Sequence, residues 1–249
     1  MTVLRVEGLA KHFGGLMVLK DVSFDVKAGQ KLAMIGPNGA GKTTLLNMIG
    51  GQLSVTGGHI FLEDRDITKL SPDRRLHLGV GRSFQINNLF FELSILDNIL
   101  LALHGAERRH LRMFQRLERR TKMLEEAEHK LELVGLANKR HELLQVQSYG
   151  DQRLVELLCA FSGKPKIVLL DEPSAGLPTA EAAAFANVIR RLASDTTVLF
   201  CAHDMDLVFN LADEIMVLYF GEIMTKGSPK AVGADPKVQE IYLGSDESC

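Results

Sequence analysis

The chain has 249 residues, of which 46% are hydrophobic and 24% charged, and its formal net charge is −2. This length supports one large domain or one domain with an insertion, while the balanced charge argues against a general nucleic-acid-binding protein. Three widely spaced cysteines do not form a disulfide framework. With neither a secretion signal at the start nor an apolar run of about 18 residues, the chain itself is expected to be soluble.

The N-terminal region predicts strands. Alternating apolar and polar positions up to about Leu32 indicate strands at VLRVEG, LMVLKDVSFDV and KLAMI, and GHIFLEDRDI predicts another hairpin. From about Leu93 to Leu136 the pattern becomes helical. A coiled coil is the alternative for that stretch, but its apolar residues keep no strict heptad repeat. A helical insertion is therefore preferred.

The C-terminal half alternates strands and helices. The predicted strands are KIVLLDEP, TTVLFCAHD and EIMVLYFG, and the helices between them are TAEAAAFANVIRRLA and MDLVFNLA. Continuous apolar strands that alternate with helices are typical of an α/β core around a largely parallel sheet.

A phosphate-binding loop follows the strand KLAMI. GPNGAGKT, residues 36–43, matches G-x-x-x-x-G-K-[ST] and is followed by a helical pattern. Backbone N–H groups and the helix N-terminus converge on a phosphate in such a loop. An ordinary glycine-rich turn is the alternative, but the strand and helix context favours a nucleotide triphosphate site. Its residues are predicted as Gly36, Pro37, Asn38, Gly39, Ala40, Gly41, Lys42, Thr43 and Thr44.

The chemical groups of this site come from several places in the chain. Lys42 should reach the β and γ phosphates and Thr43 should bind Mg²⁺. Asp171, at the end of IVLLDEP, is predicted to bind Mg²⁺ too, and Glu172 to polarise the attacking water. His203, after the strand TTVLFC, should contact the γ-phosphate. The alternatives are solvated acids and a structural histidine.

Two other polar segments are harder to interpret alone. Gln85, in GRSFQINNLF, lies between core and insertion, where it would contact Mg²⁺ or water, although surface glutamines are common. VQSYGDQR, residues 146–153, places a small hydroxyl-bearing turn before a helical pattern.

Taken in order, seven elements resemble the nucleotide-binding subunit of ABC transporters over essentially the whole chain. They are Phe13, GPNGAGKTT, Gln85, QSYGD, IVLLDEP, SAGL and the histidine of AHD. The resemblance implies an α/β, P-loop NTPase (RecA-like) core with an N-terminal antiparallel β region and an inserted α-helical subdomain. Residues 1–85 and 160–249 would form the core, and about 86–159 the helical subdomain.

The resemblance also implies an ATPase that uses ATP and Mg²⁺ and works as a pair of cassettes, formed with the same or a similar chain. Phe13 would stack on adenine, the alternative being a place in the core. The signature turn, residues 147–151, would act in trans: Ser148, Tyr149, Gly150 and Asp151 would face the γ-phosphate bound by the opposite subunit.

This turn departs from the general Leu-Ser-Gly-Gly-Gln pattern. Its Tyr-Gly-Asp-Gln-Arg form is similar to importers of branched-chain amino acids, related amides and urea. Gln147 stands where that subgroup has leucine, and SAGLPTAE lacks the usual Asn-Pro. We expect both departures to affect the rate of ATP hydrolysis and the packing of the interface between the two cassettes.

The same resemblance implies transmembrane permease subunits as partners and, indirectly, a solute-binding protein. The segment NNLFFELS would dock a permease helix, or its phenylalanines would pack against the insertion. The cassette would lie in the cytoplasm, peripheral on the inner face of the plasma membrane, without a nucleic-acid partner.

Two other functions are open to a phosphate-loop protein. A soluble ABC-type regulator of DNA or ribosomes is disfavoured by the near-neutral charge and the single short insertion. A P-loop kinase or GTPase is disfavoured because the chain lacks Asn-Lys-x-Asp and would have no use for a motif acting in trans. The sequence names neither the solute nor the identity of the second cassette.

Overall fold

The computed structural model describes residues 1–83, 89–106 and 116–243. The strands in these ranges are β1 Thr2–Phe13, β2 Leu16–Lys27, β3 Lys31–Ile35, β4 Gly57–Leu62, β5 Arg65–Asp66, β6 Val80–Arg82, β7 Ile167–Asp171, β8 Thr197–Cys201, β9 Glu214–Tyr219 and β10 Glu222–Gly227. The helices are α1 Lys42–Gly50, α2 Pro72–Leu78, α3 Ile95–Ala106, α4 Arg116–Leu133, α5 Tyr149–Ala160, α6 Thr179–Leu192, α7 Met205–Leu211, α8 Pro229–Gly233 and α9 Pro236–Leu243.

The strands form two sheets. One is antiparallel, in the order β2-β1-β4-β5, and the other follows the order β10-β9-β3-β8-β7-β6. In the second sheet only β10 runs antiparallel to its neighbour. The central strands β3, β7 and β8 are buried along nearly their whole length, which explains their uninterrupted apolar sequences. The predicted α/β fold with an antiparallel N-terminal region is confirmed.

The sheet order brings the predicted motifs together. β3 leads into the phosphate loop, β8 leads towards His203, and β7 ends at Asp171. Since these strands are parallel neighbours in the order β3-β8-β7, their carboxyl ends meet at one edge of the sheet, where ligands bind in folds of this class.

Three hydrophobic clusters hold the layers together. The first packs the antiparallel sheet and α1 against one face of the parallel sheet, and the second packs α5, α6 and α7 against the other. The third joins α3, α4 and α5 through side chains such as Ile99, Leu131 and Leu158. Helix α5 belongs to both the second and the third cluster, so it ties the helical region to the core.

The helical stretch predicted from Leu93 to Leu136 contains α3 and α4, and residues 107–115 lie outside the described part of the chain. Within the described ranges, no helix combines the length and the apolar character that a membrane span requires.

Candidate active site

At two positions of the phosphate loop, Gly36 and Gly41, a side chain would come too close to neighbouring atoms. A Cβ on Gly36, at φ 151°, would lie 2.0 Å from the carbonyl oxygen of Leu218. A Cβ on Gly41, at φ 104°, would lie 2.7 Å from Leu19 Cδ2. Gly41 also precedes α1 without a side-chain cap, so the first N–H groups of the helix remain available to an anion.

Lys42 lies within this loop. Its side chain is almost buried, and Nζ donates hydrogen bonds to the carbonyl oxygens of Gly36 at 2.7 Å and Pro37 at 3.0 Å. Burial lowers the pKa of the ammonium group, while the carboxylates of Glu172 and Asp171 act in the opposite direction. The loop thus holds one cation among its own carbonyl oxygens.

Asp171 and Thr43 meet at the end of β7. Thr43 Oγ1 donates to Asp171 Oδ1 across 3.4 Å, and Cys201 Sγ donates to the same oxygen at 2.8 Å. The backbone N–H of Asp171 donates to Ser83 Oγ at 3.4 Å. A hydroxyl and a carboxylate are oxygen donors of the kind that a hard cation such as Mg²⁺ prefers, so the chemistry of this pair fits that cation.

Glu172 and His203 form the second pair of the site. His203 Nε2 lies 3.1 Å from Glu172 Oε1, and both side chains are more than a third exposed. The backbone of Glu172 has a φ of 48°, which is uncommon for a residue other than glycine, and its N–H donates to Cys201 O at 2.9 Å. Unusual backbone angles of this kind cluster at functional sites, where they direct a side chain.

The signature turn caps α5. Ser148 Oγ accepts a hydrogen bond from the backbone N–H of Asp151 at 3.1 Å. Asp151 Oδ2 in turn accepts from Lys139 Nζ at 2.7 Å, which raises the pKa of Lys139. Gly150 packs close to α6, because a Cβ at this position would lie 3.0 Å from Glu181 Oε2. Among the described residues, no hydrogen bond or ion pair joins this turn to the phosphate loop of the same chain.

The signature turn does contact the segment that directly follows Glu172, residues 173–177, which we call the acid turn. Tyr149 Oη donates to Ala175 O at 2.9 Å. Gly176, at φ 79°, packs against the ring of Tyr149, and a Cβ at this position would lie 2.9 Å from Tyr149 Oη.

Two predicted residues, Phe13 and Gln85, and the predicted docking segment NNLFFELS lie outside these contacts. Phe13 is 49% exposed at the end of β1, with Lys11 Nζ 5.1 Å from its ring centroid, so it does not pack in the core. Gln85 falls within residues 84–88 and lies outside the described residues. In the segment NNLFFELS, Phe90 is 58% exposed, whereas Phe91 packs against the third cluster.

Sequence reasoning missed two features. The strand register pairs Cys201 with Asp171, and the Cys201 thiol contacts that carboxylate. Gln147 is buried, and its Nε2 donates to Glu142 Oε2 at 2.9 Å and to Leu143 O at 3.1 Å. Local hydrogen bonding therefore accounts for the polar residue in place of leucine.

Comparison with known proteins gives consistent matches. A family model described as ABC transporter matches residues 19–175. The BraF protein of Pseudomonas aeruginosa, a high-affinity branched-chain amino acid transport ATP-binding protein, is 37% identical, with 97% of this chain and 98% of BraF covered. The LivG protein of Salmonella typhimurium has the same description and is 35% identical, with 97% and 98% covered. A solved ATP-binding cassette of an ABC transporter in its ADP conformation is 33% identical, with a TM-score of 0.85 and coverage of 98% and 99%.

Proposed function

This chain belongs to the ABC transporter family and is the ATP-hydrolysing subunit of such a transporter, and we propose that it drives the import of branched-chain amino acids or related small amides and urea. The names of BraF and LivG support the solute class, as does the Tyr-Gly-Asp-Gln-Arg form of the signature turn. The alternative of a DNA or ribosome regulator finds no support among these relatives.

In the proposed nucleotide site, the phosphate loop and the residues around it have separate roles. Phe13 stacks on adenine, residues 36–44 bind the phosphates, and Lys42 neutralises charge on the β and γ phosphates. Thr43, Asp171 and Gln85 would hold Mg²⁺, which would supply further charge neutralisation. The 3.4 Å separation of Thr43 Oγ1 and Asp171 Oδ1 supports this ligand pair.

One observation carries the proposed hydrolytic role: Glu172 and His203 are 3.1 Å apart at the sheet edge where the phosphate loop begins. Glu172 orients the attacking water and accepts its proton. His203 holds the carboxylate from one side and contacts the γ-phosphate from the other. Positioning and charge stabilisation thus supply most of the catalysis, as phosphoryl transfer requires.

The signature turn acts on the ATP of a second cassette in this proposal. Ser148 and Gly150 present a hydroxyl and the N-terminus of α5 at the surface, and in the described residues they make no hydrogen bond with their own phosphate loop. ATP then lies between two cassettes, so that hydrolysis depends on their closure. The second cassette is the same chain or a similar one.

A groove between core and helical region is the proposed permease site. It has a volume of about 320 Å³, and its walls include Leu76, Val80, Phe90, Leu101 and Ala102. The exposed lining of the groove is mostly apolar, and the exposed Phe90 lies on its wall, which fits the apolar face of one permease helix. The third hydrophobic cluster supports the division into a core and a helical subdomain of about 86–159.

Through the permease, the cassette would lie peripherally on the inner face of the plasma membrane and serve a solute-binding protein only indirectly. The test is reconstitution with the permease subunits in proteoliposomes, with ATP inside and labelled leucine or urea outside together with the solute-binding protein. We expect ATP-dependent uptake that Glu172→Gln abolishes. Accumulation of neither solute by a complex that hydrolyses ATP would refute the solute class, and failure to assemble with any permease would refute the motor role.

A further inference from the structure

A buried arginine links two parts of the molecule that no motif connects. Arg153, in the first half of α5, is 8% exposed and lies between Glu156 and the acid turn. Its Nη1 donates to Glu156 Oε2 at 2.8 Å, and its Nη2 donates to Ala175 O at 3.3 Å. One guanidinium group therefore bonds a side chain of α5 and the backbone that follows Glu172.

The acid turn depends on α5 for its position. Ala175 O accepts hydrogen bonds from both Arg153 and Tyr149, and the guanidinium carbon of Arg153 lies 5.5 Å from the Tyr149 ring centroid. The backbone N–H of Ala175 donates to Glu172 O at 3.0 Å. A shift of Arg153 would therefore reach the backbone of Glu172 through a single residue.

The other end of the link is the groove proposed to receive a permease helix. Glu156 is 6% exposed and belongs to the groove wall, together with Cys159 and Ala160 from the next turn of α5. A helix seated in the groove would pack against the segment of α5 that carries Glu156.

The energetics of this arrangement argue against a purely stabilising role. A buried ion pair seldom stabilises a fold more than well-packed apolar side chains of similar size would, because the cost of desolvating the two charges offsets their attraction. Within the described residues, Arg153 Nε is buried without a hydrogen-bond partner, and a donor left unpaired in this way costs stability. A shorter apolar residue would avoid that cost, but it would lose the bond to Ala175.

We propose that Arg153 is a positioning residue for ATP hydrolysis, which with Glu156 couples the groove wall to the acid turn and so sets the placement of Glu172. Its coupling role rests on the proposed function, because it takes the groove to be the permease site. Arg153 does not touch the nucleotide. It acts through Ala175, and a displacement of about 1 Å in a catalytic group is enough to lower a rate substantially.

The test compares Arg153→Met and Arg153→Lys with Lys130→Met, in the isolated cassette and in the reconstituted permease complex. Lys130 is a matched control because it is also a largely buried cation, bonded to Phe161 O and Glu126, without contact to the acid turn. We expect Arg153→Met to lower kcat on the order of tenfold with KM for ATP within about twofold, since ground-state binding is untouched. Stimulation of ATPase activity by the permease should also be lost, whereas Lys130→Met should keep both.

Arg153→Lys keeps the charge but offers one nitrogen in place of a fork, so it should retain the pair with Glu156 and still lose kcat. It serves as the second variant if Arg153→Met does not fold. A kcat and a stimulation ratio within about twofold of the unaltered protein in a folded Arg153 variant would overturn the inference. Lack of permease stimulation in the unaltered complex would instead count against the proposed function, while the kcat of the isolated cassette would still test Arg153.

Discussion

His203 Nε2 lies 3.1 Å from Glu172 Oε1, although the two residues follow different strands of the parallel sheet, β8 and β7. The backbone N–H of Glu172 is also bonded to Cys201 O, two residues before His203. The pairing of β7 with β8 therefore holds Glu172 and His203 next to each other, beside the phosphate loop.

Replacing Glu172 with Gln should keep ATP binding and lower turnover at least about a hundredfold, since loss of one well-placed catalytic group costs ~2–4 kcal/mol. Phosphate release under saturating ATP measures the turnover, and a fluorescent ATP analogue measures binding. The control is Glu222→Gln, an exposed carboxylate of β10 that is paired with Lys20. Near-normal hydrolysis by Glu172→Gln would remove Glu172 from its role.

Replacing Lys42 with Ala should abolish most nucleotide affinity, because its buried ammonium is the cation that the phosphate loop holds among its own carbonyl oxygens and that, as we propose, neutralises the phosphates. Equilibrium binding of the same analogue provides the measurement. Lys20→Ala, an exposed lysine paired with Glu222, is the control. Equal affinity for the Lys42→Ala and unaltered proteins would contradict the assignment.

Asp171→Asn should raise the Mg²⁺ concentration required for half-maximal ATPase activity by roughly tenfold or more, since a neutral amide binds a hard cation less well than a carboxylate. Titration of Mg²⁺ at fixed ATP gives this value. A titration curve that overlays that of the unaltered protein would show that Asp171 does not hold the cation.

Ser148→Arg should block ATP-dependent pairing while the monomer still binds ATP, because a long side chain replaces the hydroxyl that we propose faces the phosphate bound by the opposite cassette. Sedimentation in a Glu172→Gln background, where ATP is not consumed, detects the pair. Unchanged dimer formation would contradict the action of the signature turn in trans.

The two described cysteines should resist alkylation in the folded protein at pH 8. Burial raises the pKa of Cys159 to about 12 and also raises that of Cys201. Since the thiolate is the reactive form and its fraction falls as the pKa rises, both thiols are almost entirely protonated at pH 8 and should react far more slowly than after unfolding, including Cys159, which lines the groove. Mass spectrometry of their peptides after iodoacetamide treatment, with and without denaturant, tests this, and rapid modification of either native thiol would contradict it.

Much of the fold followed from local sequence patterns. The apolar strands and the phosphate loop were readable because each is contiguous, and the order of the motifs indicated the family. The contacts of Cys201 with Asp171, and of Arg153 with Ala175, were not readable. They depend on strand register and on how α5 packs against the core, which bring together residues 30 and 22 positions apart.

The most direct test of the account is the ATPase rate per chain as a function of protein concentration, measured on the isolated cassette at saturating ATP and Mg²⁺. Sites built from two chains predict a rate per chain that rises with concentration until pairing is complete, and that stays low throughout for Ser148→Arg. A rate per chain independent of concentration down to the monomer, and equal in Ser148→Arg, would contradict the account.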